Sequence, residues 1–168
     1  MNVFNTLLSG VMGTSTMTLF SYAASEKEGQ QFKEPILLHK LFRRALPFLP
    51  GKRSGRSARF DGWILHYIAG FLFSAAYDRI WNKTRVTPSI PAGMVLGAVS
   101  GLAGIAIWDL MFRMHPDPPK VNVKDYYKHL MAAHVVFGVF AALGYRAPEG
   151  VEKAVEVMEM EEEAELGI

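Results

Sequence analysis

Four long stretches of this sequence contain no Asp, Glu, Lys or Arg. They cover residues 1–25, 62–77, 92–108 and 130–145. A helix rises ~1.5 Å per residue, so about 20 apolar residues cross the ~30 Å hydrocarbon core of a bilayer. Aromatic and basic residues flank the shorter stretches and add the missing length, because their side chains reach the headgroup region. The pattern predicts four transmembrane helices, at residues 1–25, 61–81, 90–113 and 126–146.

Two alternatives compete with this interpretation. Apolar runs of this length also form core helices of soluble bundles, but only 20% of the chain is charged, against roughly 25% in soluble domains. A cleaved signal peptide has a basic N-terminal region, and residues 1–5 contain no Lys or Arg. The absence of Cys excludes disulfides, thiolate metal sites and cysteine nucleophiles. We therefore expect an all-α, polytopic membrane protein.

The first connector, residues 26–60, is long and basic. Its segment from Glu34 to Pro50 has Pro35 in the first turn and mixes apolar with basic side chains, which predicts an amphipathic helix lying in the membrane interface. The basic tract at residues 51–59 predicts a flexible segment that contacts anionic lipids rather than nucleic acid. At the other end, residues 147–168 are rich in Glu and predict a solvated, partly helical tail.

The basic residues also predict an orientation. Thirteen of the 18 Lys and Arg residues lie in or beside the first and third connectors. Short loops rich in Lys and Arg stay in the cytoplasm. We therefore expect a multi-pass protein of the cell inner membrane, with both termini outside the cytoplasm.

Two motifs occur twice, in the same order. The motif S-G-x-x-G begins at Ser9 and again at Ser100, and the motif H-x-x-x-G, followed by Tyr seven residues later, begins at His66 and again at His134. Two ordered matches indicate a duplicated two-helix unit, which would give a tandem parallel repeat and a pseudo-twofold four-helix bundle. Glycines spaced four apart in the third span predict close helix packing, inside the bundle or against a partner subunit.

With these motifs, the four spans resemble uncharacterised small bacterial inner-membrane proteins that carry an S-G-x-x-G helix followed by an H-x-x-x-G…Y helix. The resemblance covers roughly half of the chain. It implies an inner-membrane location and no particular activity.

Three ionisable residues lie well inside the predicted spans: His66, His134 and Asp109. Such residues are costly in a membrane and are candidates for function. Their distances from the flanking connectors place all three in one layer near the cytoplasmic side, which hydroxyls of the first span also approach. His129, at the start of the fourth span, is expected at the interface.

Three interpretations of this layer stay open. The imidazoles form hydrogen bonds across the bundle, and Asp109 pairs with Arg113 one turn away, so that the layer only stabilises packing. Alternatively, His66, His134 and Asp109 bind a divalent metal or relay protons. In the third interpretation, His66 and His134 are the axial ligands of a haem.

The sequence contains none of the familiar catalytic motifs, which favours a non-catalytic protein. We expect a structural or accessory membrane subunit, with a small transporter or a metal-binding or haem-binding protein as the alternative. The expected partners are the bilayer itself, anionic lipids at the basic connector, and either a second copy of the chain or other membrane subunits. The cofactor, if there is one, is unknown from the sequence.

Overall fold

The computed structural model describes residues 2–45 and 56–166. Within these ranges the chain is helical, with no strand. The helices are α1 (Val3–Glu28), α2 (Glu34–Ala45), α3 (Arg56–Lys83), α4 (Ile90–Met114) and α5 (Val123–Leu166). The predicted all-α class is confirmed. Residues 46–55, which hold the end of the predicted interfacial helix and most of the basic tract, lie outside the described ranges, and residues 56–59 of that tract form the first turn of α3.

α1 is the central helix of the fold. Its N-terminus is capped by the Asn2 side chain, which accepts a hydrogen bond from the Asn5 backbone at 3.3 Å, and it ends at Gly29, whose φ of 64° is left-handed. α1 packs against both α3 and α5. Its buried face carries hydroxyl groups instead of large apolar side chains: Thr6, Ser9, Thr14, Thr18, Ser21 and Ser25.

A row of glycines lets α4 approach α5 closely. Gly93, Gly97, Gly101 and Gly104 all face α5, and a Cβ at Gly97 would lie 2.5 Å from the carbonyl oxygen of His134. No side chain fits at that distance. Of the two roles expected for the small residues of the third predicted span, packing inside the bundle is therefore the one that the structure shows.

α2 packs against the N-terminal part of α3. Leu37 and Leu41 are buried and Lys40 is exposed, as the predicted apolar face and one residue of the predicted basic face require. A Cβ at Gly62 of α3 would collide with the Pro35 carbonyl oxygen, which shows how close the two backbones are. The apolar face of α2 is thus used against the protein, and an additional contact with the membrane interface stays a prediction.

α5 is longer than the predicted fourth span and continues to Leu166 through Pro148. The segment predicted as a partly helical tail is therefore a direct extension of the span helix. At ~1.5 Å per residue, the 44 residues of α5 extend about 66 Å, twice the ~30 Å hydrocarbon core. The second half of α5 projects beyond the rest of the bundle and exposes Val151, Val155 and Met158.

Two helices are long and apolar enough to cross a membrane, namely α4 and the part of α5 from Val123 to Met158. α1 and α3 have 26 and 28 residues but contain more polar side chains. Large apolar side chains are exposed on α3 at every fourth position, and similar ones are exposed on α1 and α4. The exposed row on α3 consists of Phe60, Ile64, Ile68 and Leu72.

The two halves of the chain do not pack alike. α1 contacts both α3 and α5, whereas α4 packs mainly against α5. Gly70 of α3 faces Thr14, next to the first S-G-x-x-G motif, while the matching Gly138 of α5 faces Gly93 and Gly97, which precede the second motif. The tandem parallel repeat stays a prediction.

Candidate functional site

The interior of the bundle contains a cavity of about 290 Å³. All five helices contribute to its wall, which is mostly apolar and includes Phe73, Trp108, Met111 and Phe137. Both histidines predicted as a site, His66 and His134, line this cavity. Two further polar residues join them in the wall: Thr14 of α1 and Glu34 of α2.

His66 is held by a hydroxyl of α1. The Thr18 hydroxyl donates to the backbone carbonyl of Thr14 at 2.7 Å, so its oxygen is free to accept from Nε2 of His66, 3.0 Å away. A neutral imidazole that carries its proton on Nε2 has a bare lone pair on Nδ1. The predicted contribution of first-span hydroxyls is correct for Thr18 and for Thr14, which lines the cavity.

His134 is held by its own helix. Its Nδ1 lies 2.9 Å from the carbonyl oxygen of Leu130, which can only accept, so Nδ1 donates and Nε2 of the neutral ring carries the lone pair. Glycine at position 104 leaves room for this ring, because a Cβ there would lie 2.8 Å from Nε2. The two histidines therefore each bring a lone-pair nitrogen to one cavity.

Asp109 is not among the residues that line this cavity, and the common layer expected for it stays a prediction. Its Oδ2 pairs with Arg113 Nε at 2.7 Å, on the part of α4 where the Arg113 side chain is 76% exposed, and its Oδ1 accepts from the Tyr127 hydroxyl at 3.2 Å. Tyr127 lies seven residues before His134, about two turns of α5. Asp109 therefore has the ion pair that the packing interpretation gave it.

The described part of the chain contains no group of three His, Asp or Glu side chains placed to hold a metal ion. His66 and His134 share a cavity, but the third ligand proposed for a metal, Asp109, is elsewhere. The three-residue metal set is thus not assembled here. Whether the two histidines bind a cofactor stays a prediction.

Glu34 was missed as a site residue. Its Oε1 accepts from the Ser21 hydroxyl at 2.7 Å, and the Ser21 oxygen is 2.9 Å from Nε2 of His129. The second carboxyl oxygen, Oε2, is buried without a hydrogen-bond partner. A signal existed in the sequence, since Glu34 is the one acidic residue between Glu28 and Asp61, but its burial could not be read from an otherwise basic connector.

His129, which was expected at the membrane interface, is buried within the protein. Its ring is stacked between two phenylalanines, Phe32 at 4.4 Å and Phe20 at 5.3 Å between ring centroids. Nε2 is also 3.6 Å from Oε1 of Glu34. The cluster of Ser21, Glu34 and His129 joins α1, α2 and α5, and Glu34 connects it to the cavity.

A second buried polar cluster lies towards the opposite end of the bundle. Asp78, which is 1% exposed, accepts from the Tyr145 hydroxyl at 2.8 Å and from the Asn82 amide at 2.9 Å. Trp81 packs on Tyr145 with 4.7 Å between ring centroids. Trp81 and Tyr145, which flank the second and fourth apolar runs, are both buried. The carboxyl of Asp78 needs these hydrogen-bond donors because a buried charge without partners is costly.

The chain matches no protein-family profile, no curated protein and no solved structure. The resemblance to small bacterial inner-membrane proteins therefore stays a prediction, and function has to be argued from the site.

Proposed function

We propose that this chain is a non-catalytic integral membrane protein that crosses the inner membrane four times and binds a small ligand in the cavity between His66 and His134. The four crossings are α1, α3, α4 and the first half of α5. In this arrangement both termini are outside the cytoplasm and α2 lies on the cytoplasmic side. The tandem repeat would explain why α1 runs parallel to α4 and α3 runs parallel to α5.

The distribution of polarity supports membrane insertion of α1 and α3. Within their apolar runs, polar side chains such as Thr18, His66 and Ser74 are buried, whereas Leu19 and Leu72 are 71% and 68% exposed. In water, each square ångström of apolar surface left exposed forgoes about 25 cal/mol, so a wide apolar surface around a polar interior suits a lipid environment. Hydroxyl groups on α1 lower its hydropathy, but those of Thr14 and Thr18 are buried, and the Thr18 hydroxyl forms hydrogen bonds within the bundle.

The observation that carries the binding proposal is the shared cavity. His66 and His134, each with one ring nitrogen outside the hydrogen bonds described above, line one cavity together with Thr14 and Glu34, whose Oγ1 and Oε2 atoms are buried without a partner. Buried polar atoms are normally hydrogen-bonded, and each one left without a partner costs about 1–3 kcal/mol. A ligand that satisfies these atoms recovers that cost. An interior that serves only packing would not need a ligand to satisfy its polar atoms.

A metal-binding or haem-binding site is the second candidate, favoured by the two lone-pair nitrogens. Each nitrogen can ligate a metal. A metal would need further ligands from outside the described residues, from solvent or from a partner. A haem is larger than the 290 Å³ cavity, which is at the lower end of the ~300–1,000 Å³ typical for drug-sized ligands. A haem would therefore require α3 and α4 to separate.

Purification from native membranes tests both candidates. We expect native mass spectrometry of the wild-type protein to show a bound organic molecule, with no stoichiometric metal by elemental analysis and no Soret band. The variants His66→Gln and His134→Gln keep hydrogen-bonding capacity and should assemble normally while losing most of the bound molecule. Lys83→Gln, at the exposed C-terminal end of α3 and away from the cavity, is the control and should retain it. A wild-type protein that carries no ligand of any kind would contradict the binding proposal.

A further inference from the structure

The cavity has a lateral continuation. A second, more open groove of about 520 Å³ is lined by apolar side chains of α2, α3 and α4, including Leu41, Leu110 and Met114. Leu38, Leu65 and Met111 line both spaces. The inner cavity and the groove therefore adjoin at these three side chains, here called the neck, and the groove is lined by the exposed side chains of Leu110 and Met114.

The polar atoms of the inner cavity are mainly acceptors. His66 Nδ1 and His134 Nε2 accept in the neutral rings, and the free oxygen of Glu34 also accepts when the carboxyl is ionised. An anionic head group would meet lone pairs and a carboxyl, with no Lys or Arg among the lining residues. A cationic head would lose its hydration in a wall that is otherwise apolar. A neutral head that donates hydrogen bonds satisfies the wall at the lowest cost.

Resting on the proposed ligand-binding function, we propose that the ligand is a neutral single-chain amphiphile with a hydrogen-bond-donating head, such as an alkylated phenol or hydroquinone. Its head occupies the cavity between His66 and His134, and its chain leaves through the neck of Leu38, Leu65 and Met111 into the groove. At ~30 Å³ for each water-sized atom, a cavity of about 290 Å³ holds on the order of ten non-hydrogen atoms. That is the size of one substituted aromatic ring.

Trp108 provides a probe inside the cavity, because it is part of the cavity wall. The variant Trp63→Phe/Trp81→Phe leaves it as the one tryptophan of the chain. The ligands are a ring-brominated hexylphenol, its methyl ether and the corresponding brominated hexylbenzoate, added to protein in detergent micelles. The ether lacks the O–H donor and is larger than the phenol by one methyl group. Bromine quenches tryptophan fluorescence at contact distance.

We expect saturable quenching by the phenol, with the ether and the benzoate binding at least tenfold more weakly, since one hydrogen bond contributes about 1.4 kcal/mol. Ala69→Leu fills the cavity and should abolish saturation. Ala106→Leu, the same change at an exposed position of α4, should leave the saturable quenching unchanged. Circular dichroism and gel filtration confirm that both variants fold.

Equal binding of phenol and ether, or saturable quenching that survives Ala69→Leu, would overturn the inference. If the protein does not bind the phenol but carries a metal or an organic molecule that His66→Gln removes, this ligand class is rejected and the proposed function is kept. Absence of any ligand in the native protein, together with weak phenol binding, would reject both the proposed ligand-binding function and this ligand class.

Discussion

Glu34 is the residue at which three helices meet. It begins α2, accepts from Ser21 of α1 at 2.7 Å, and lies 3.6 Å from His129 of α5. Replacing it by Ala would leave the buried serine hydroxyl without its acceptor, which costs about 1–3 kcal/mol. We expect the midpoint of thermal unfolding in detergent to fall by several degrees in Glu34→Ala, and by less in Glu34→Gln, which keeps an acceptor.

Glu26→Ala provides the matched control. Glu26 also forms an ion pair, with Lys33 at 3.8 Å, but its side chain is 77% exposed. Exposed ion pairs contribute at most about 1 kcal/mol and often nothing. If Glu26→Ala lowers the unfolding midpoint as much as Glu34→Ala does, the buried cluster has no special part in docking α2.

At the scale of single residues, the sequence predicted the histidines better than the acids. His66 and His134 each lie four residues after the start of an apolar run, so their equal depth brings them to one cavity. The direction in which an acidic side chain points depends on the rotation of the helix about its axis, and an apolar run does not reveal that rotation. Asp109, for example, faces outward and pairs with Arg113. The Glu34 carboxyl is buried because α2 folds back onto α3. This tertiary contact cannot be predicted from the sequence of the connector.

The contact between α4 and α5 depends on glycine. A Cβ at Gly97 would lie 2.5 Å from the His134 carbonyl oxygen and 2.8 Å from the Cα of Val135. Both are backbone atoms, so a new side chain can be relieved only by moving the helices apart. We expect Gly97→Ala to destabilise the protein by about 1–3 kcal/mol, measured as loss of helical circular dichroism on titration with SDS in mixed micelles.

Gly150→Ala tests whether this effect comes from packing. Gly150 lies in α5, and a Cβ added there would have no neighbouring side chain or other helix within 4 Å. Glycine within a helix is about 0.5–1 kcal/mol less favourable than Ala, so this change should be neutral or slightly stabilising. Destabilisation by Gly150→Ala equal to that by Gly97→Ala would show that the glycine row is not required for close approach.

At the scale of elements, the four apolar runs correspond to α1, α3, α4 and the first half of α5. Their boundaries are less predictable. α3 begins at Arg56 and α5 continues to Leu166, because charged residues are good helix formers outside a membrane and nothing in a hydropathy pattern marks where such an extension stops. Pro148, an apparent stop, is accommodated within α5.

For the whole molecule, the number of crossings decides whether the polar interior is membrane-embedded. By hydropathy alone, α4 and α5 are the two candidates for spans. The inward direction of polar groups on α1 and α3, with Phe60, Ile64 and Ile68 exposed on α3, argues for four. The cavity wall includes residues of α1 and α3 as well as of α4 and α5, so a two-span protein would hold the same site at the edge of the membrane or outside it.

Reporter fusions at three positions distinguish the two topologies. With four crossings and the basic connector in the cytoplasm, a reporter after Arg53 is cytoplasmic, while reporters after Lys83 and after Ile168 are on the outer side. If only α4 and α5 cross the membrane, all three reporters lie on the same side. In that case α1 and α3 add no crossing, and the chain crosses once in α4 and crosses back in α5. We expect the alternating pattern, read as alkaline phosphatase activity outside and fluorescence of a cytoplasm-folding protein inside. The same side for Arg53 and Lys83 would remove α3 from the membrane, and the fully reversed pattern would overturn the orientation while keeping the four spans.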